Sequence, residues 1–94
     1  MARYQKGLSE YEMDKKHVRS RMYSTLGGSR SSRSRKMAAI DAALGQAMDR
    51  DSGRNRTVQA EEYTQVMDNL VEGGVISEHD RANLDRVVDK ELND

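Results

Sequence analysis

The chain is predicted to be all-α: a small three- to four-helix bundle with a flexible basic N-terminal arm and hinge. Three observations carry this expectation. Apolar residues recur at three- and four-residue steps, as in Met37, Ile40, Leu44, Ala47 and Met48, the spacing that lines one face of a helix. The double glycines Gly27-Gly28 and Gly73-Gly74 close two such segments, where helices commonly stop. No stretch alternates with period two over four residues, so no sheet is expected.

Residues 1–8 have no periodic pattern and include Gly7, and they read as a mobile arm. A helix is expected over 9–26. Ser9 suits its N-cap, Glu10, Glu12 and Asp14 suit the positive end of its dipole, and Tyr11, Met13, Val18, Met22 and Leu26 form a thin apolar stripe. Tyr4, Tyr11 and Tyr23 suit an interface as well as a core. Residues 27–35, rich in Gly, Ser and Arg, form the expected basic hinge, with Ser32 or Ser34 capping the helix that follows.

Residues 36–94 are expected to form a three-helix domain. Its first helix buries Met37, Ile40, Leu44, Ala47 and Met48 and ends near Asp49. The alanines at 38, 39, 42 and 43 add helix propensity. Thr57 is the expected cap of the next helix, which buries Val58, Tyr63, Val66, Met67, Leu70 and Val71 and stops at Gly73-Gly74. Ser77 and Asp80 then have capping-box spacing behind the apolar pair Val75-Ile76. The last helix buries Leu84, Val87, Val88 and Leu92.

Composition narrows the chemistry. In 94 residues only 35% are hydrophobic and 34% are charged, so the core is small and the six methionines fill much of it. The chain has no cysteine, which excludes disulfides and thiolate chemistry. No apolar run approaches the ~20 residues that span a bilayer, and no signal-like apolar region follows Met1. The expectation is therefore a protein with no membrane partner, in the cytoplasm, or in the host cytoplasm if it is viral. Enzyme signatures are missing. His17 and His79 lie on separate helices among charged residues, where they read as surface side chains, and adjacent Glu61 and Glu62 point to different sides of a helix. No catalytic residue, metal ligand or cofactor is assigned.

The charge is sharply divided. Residues 1–36 hold ten Lys/Arg against three Asp/Glu, a net +7, and residues 37–94 hold six against thirteen, a net −7. The candidate basic surface comprises Lys15, Lys16, Arg19, Arg21, Arg30, Arg33, Arg35 and Lys36. Arg33, Arg35 and Lys36 lie where a helix dipole is already positive, which suits an anionic partner. The candidate acidic surface comprises Asp68, Glu72, Glu78, Asp80, Asp85 and Asp89, and small viral inhibitors of nucleic-acid enzymes present carboxylates in a similar way.

Residues 51–67 resemble an EF-hand loop and its outgoing helix. Asp51 is first, Asn55 fifth, apolar Val58 eighth, Gln59 ninth and Glu62 twelfth. The third position is Gly53, without a side-chain oxygen, and the sixth, normally glycine, is Arg56. Arg54 and Arg56 bring positive charge where a hard cation needs the opposite, so what the resemblance implies is a helix pair without metal.

The function expected from these features is non-catalytic. The chain would dock on another macromolecule as an adaptor or inhibitor, with a protein that handles nucleic acid among the candidate partners. Direct nucleic-acid binding through residues 1–36 is the alternative, and the EF-hand-like helix pair a second. A homo-oligomer is compatible with the charge division.

Overall fold

The computed structural model describes residues 7–50 and 56–92. The helix expected over 9–26 is in fact two, because His17 takes a left-handed backbone conformation with φ at 62°. Ser9 accepts from the Glu12 backbone N–H while the Glu12 carboxylate accepts from the Ser9 N–H, a complete capping box that starts α1 (Glu10–Lys15). The turn at His17 then redirects the chain into α2 (Val18–Thr25). A left-handed residue just past a helix end is a common terminator. Here it is supplied by a histidine, so the break carries no glycine signal.

The next helix starts earlier than expected. Ser29, and neither Ser32 nor Ser34, is the N-cap of α3 (Arg30–Asp49), and its hydroxyl accepts from the Ser32 N–H. Residues 30–35 of the expected hinge are therefore helical. Serines are mediocre helix formers, and tertiary contacts made by Arg33 and Lys36 favour the helical state.

A short antiparallel pairing joins β1 (Leu8–Ser9) to β2 (Thr57–Val58), with Leu8 opposite Val58 and Ser9 opposite Thr57. Two residues are too few to show an alternating pattern, so this strap was illegible in the sequence. Thr57 belongs to the strand instead of capping a helix; the N-cap of α4 (Ala60–Glu72) is Gln59, whose side chain makes no cap bond. β1 leads directly into α1 and β2 reaches α4 through Gln59, and Leu8 and Val58 are each followed four residues later by a glutamate, Glu12 and Glu62. Gly7 packs so closely on β2 that an added Cβ would overlap Thr57 Cγ2 and the Val58 carbonyl oxygen.

At the end of α4, the Gly74 N–H donates to Val71 O and the Val75 N–H to Leu70 O. That is a Schellman turn, and Gly74 provides its φ of 74°. The final helix, α5 (Glu78–Leu92), is capped by Ser77, whose hydroxyl accepts from the Asp80 N–H at 3.0 Å.

The fold is all-α, with five helices among the described residues where three or four were expected. Its core joins Leu8, Met13, Val18 and Met22 to Ile40, Leu44, Val58, Met67, Leu84 and Val88. The N-terminal segment thus packs into the same core as the rest, α2 lying against α5. Of the predicted core, Val71 and Val87 are only partly buried, and the side chain of Leu92 lies outside the description. Residues 1–6 of the expected arm, and residues 51–55 of the EF-hand-like loop, lie outside the described residues.

Candidate binding groove and charged surfaces

The break at His17 sets α1 at an angle to α2 and leaves a groove beside α3. It encloses about 360 Å³ and is lined by Met13, Asp14, His17, Arg19, Ser20, Tyr23 and Met37. Met13 and Met37 are buried, whereas Tyr23 lies partly exposed at the edge of the core. Arg19 ties the three helices together: its Nε donates to Asp41 Oδ1 at 2.9 Å, and its other end pairs with Asp14.

Arg33 lies over the Tyr23 ring, with its guanidinium carbon 5.2 Å from the ring centroid. A cation–π contact of that geometry contributes about 0.5–1 kcal/mol near a surface. Arg33 Nε is buried and has no acceptor among the described residues. Tyr23 Oη in turn is 3.5 Å from Ser34 Oγ. Tyr23 thus lines the groove with Met13 and Met37 while its ring lies under Arg33.

Lys36 and Asp80, expected on opposite docking surfaces, are paired inside the molecule. Lys36 Nζ is 2.7 Å from Asp80 Oδ2 and also donates to Gly27 O at 3.0 Å. Asp80 also accepts from the Gly27 N–H at 3.0 Å and the Ser77 N–H at 3.3 Å, and its side chain is only 3% exposed. Burial alone would raise the pKa of this carboxyl. The bonds from Lys36, Gly27 and Ser77 outweigh that and hold it below the usual carboxylate range. Neither residue is available to a partner, which corrects their assignment to the basic and acidic surfaces. The pair instead staples the α2–α3 connection to the start of α5.

The remaining candidates are scattered more evenly than the sequence suggested. Lys15 ends α1, Lys16 follows it and Arg21 lies on α2; all three are exposed, and Lys16 and Arg21 already take part in interactions. Arg30 and Arg35 are exposed on the first turns of α3 and form no ion pair among the described residues. On the acidic side, Asp68 and Asp85 both pair with Arg81, Asp85 at 3.3 Å. Burial raises the Asp85 carboxyl pKa above its ordinary value, against the pull of Arg81. Glu72, Glu78 and Asp89 are exposed, and Asp89 too is engaged. The Arg81–Asp85 pair has the i,i+4 spacing of a helix and is visible in the sequence, whereas Asp68 and Asp80 meet partners distant in the chain that leave no local pattern.

The EF-hand-like segment also takes a definite form. Arg56, at the position that normally needs glycine, does adopt a positive φ of 39°. Its guanidinium pairs with Glu10 at 3.0 Å and with Asp49, while its carbonyl accepts from the Glu10 N–H. Glu62 accepts from Arg50 at 2.9 Å. Among the described residues, no group of three or more His, Asp or Glu side chains is placed to hold a metal, and no helix is long and apolar enough to cross a membrane.

The groove itself was not anticipated, although Arg19, Arg33 and Tyr23 had each been singled out. Their convergence depends on the left-handed turn at His17. Compared with protein-family models, curated proteins and solved structures, the chain matches none.

Proposed function

We propose that this protein is a non-catalytic docking module that binds another protein through the α2–α3 edge. The observation that carries the reading is the groove at this edge, whose lining includes Met13, Tyr23 and Met37, with Arg33 stacked over the Tyr23 ring. Arg30 and Arg35, exposed and without an ion pair among the described residues, favour an anionic partner and speed its approach.

Internal pairing weakens the case for a broad electrostatic footprint. With Lys36 and Arg19 engaged, too few free cations remain on this edge for nucleic acid to be the better reading. The adaptor or inhibitor role and a partner that handles nucleic acid remain proposals on the same footing.

The test is affinity capture with the full chain and with an Arg30→Glu/Arg35→Glu variant, after nuclease treatment. The reading predicts a protein retained by the wild type and depleted about tenfold or more by the variant. Identical capture by both, or capture abolished by nuclease, would contradict it.

A further inference from the structure

We infer that residues 26–29 form a latch that holds this protein in its closed, monomeric form. With the latch released, two copies exchange their N-terminal segments, each packing its β1, α1 and α2 on the body (α3 to α5) of the other. The partner is a second copy of the chain, and the inference stands independently of the docking reading above.

Burial is the first argument. The N-terminal segment contributes Leu8, Met13, Val18 and Met22 to the core, all fully buried, and α2 lies most extensively against α5. Lifting the segment off its own body would expose all four, more apolar surface than the marginal stability of a small domain tolerates. Exchange keeps every one of those contacts, because a second copy offers an identical surface. The segment therefore leaves its own body only for that of another copy.

The connection is the second argument. Residues 26–29 alone join α2 to α3. In the closed form Gly27 is clamped through both backbone groups: its N–H donates to Asp80 at 3.0 Å, and its carbonyl accepts from Lys36 at 3.0 Å. Gly28 takes a φ of 103°, which L side chains rarely adopt, and a Cβ there would lie 2.9 Å from Ser32 Oγ. Short hinge loops under such demands invite exchange. In the exchanged form the connection runs extended between two bodies, so Gly27 leaves the clamp and Gly28 is released from its positive φ. Lys36 and Asp80, both on the body, stay paired. The bonds to Gly27 are thus what separates the two forms, and they favour the closed one. Exchange would also build each groove from two chains, Met13 and Tyr23 coming from one and Met37 from the other.

The experiment refolds the full chain from denaturant at low and high protein concentration and reads its mass by size-exclusion chromatography with light scattering. Wild type should be monomeric at low concentration. Gly28→Ala penalises only the closed connection, and Asp80→Asn weakens the hold on Gly27. Each should raise the dimerisation constant about tenfold or more, the equivalent of one lost hydrogen bond. Gly45→Ala, on α3 where an added Cβ meets nothing within 4 Å, is the control and should match wild type. Lengthening the connection of the Gly28→Ala chain by a Gly-Ser pair should return it to monomer. The chain has no cysteine, so single labels separate exchange from ordinary association. Mixed dimers of donor-labelled Ser24→Cys and acceptor-labelled Arg86→Cys copies, both positions being exposed, should show the same energy transfer as a doubly labelled monomer.

Latch variants that fold yet stay monomeric at every concentration would overturn the inference, as would a wild type already dimeric at low concentration. Dimers whose energy transfer differs from that of the monomer are ordinary association and would overturn it too. Should Asp80→Asn fail to fold, Gly28→Ala decides alone. A Gly28→Ala chain that fails to fold also counts against exchange, which offers that chain an unstrained folded state. None of these results bears on capture of a protein through the α2–α3 edge, which stands or falls by its own test.

Discussion

Asp80 carries more long-range polar order than any other side chain described, since Lys36, Gly27 and Ser77 all donate to it. Replacing it by Asn leaves the half-buried Lys36 beside a neutral group, and the expected cost is about 1–3 kcal/mol in denaturant unfolding. Its pH signature follows from the direction of its shift. A carboxyl held below its unfolded value contributes stability above roughly pH 4 and loses it as pH falls through the folded value. Asp85 is shifted the other way, so its contribution is present at low pH and lost as pH rises through its folded value. The difference between wild-type and Asp80→Asn melting curves should therefore shrink steadily on acidification. A second side chain makes the opposite point. Tyr63 is buried, its hydroxyl has no partner among the described residues, and burial raises the phenol pKa. Tyr63→Phe should be neutral or raise stability by about 1 kcal/mol, measured in the same unfolding experiment. Neither result could be foreseen from the sequence. Ser77 and Asp80 were recognisable as a cap, but the arrival of Lys36 from a distant helix was not.

The segments themselves were legible wherever an apolar face repeats. The steps from Met37 to Met48 and from Tyr63 to Leu70 mark buried faces that the structure contains. Boundaries were less legible, because they depend on backbone choices that a hydrophobic pattern does not encode. The split between α1 and α2 rests on His17 at φ 62°, where a non-glycine residue typically costs about 1 kcal/mol or more. His17→Gly should therefore raise the melting temperature by a few degrees, as calorimetry would detect. The β1–β2 strap makes the contrary demand. A methyl at Gly7 would collide with Thr57 and the Val58 backbone, so Gly7→Ala should destabilise by about 1–3 kcal/mol. Equilibrium unfolding that shows no loss would mean the strap does not hold the N-terminal segment. Arg56 belongs with these cases. Arg56 stands where an EF-hand loop has glycine, which counts against that resemblance, yet its backbone does take a positive φ of 39°.

At the scale of the whole molecule, two pairs join cations of the basic half to carboxylates of the acidic half: Lys36 meets Asp80 and Arg19 meets Asp41. Arg81 pairs with Asp68 and Asp85 within the acidic half. The α2–α3 edge adds an apolar-lined groove and, at the start of α3, Arg30 and Arg35, which form no ion pair among the described residues. The measurement that bears most directly on the docking reading is amide chemical-shift mapping of the full chain against its captured partner. The account predicts that the largest shifts cluster at Met13, Ser20, Tyr23, Arg33 and Met37. Shifts centred instead on the exposed acidic side chains of α4 and α5 would contradict it.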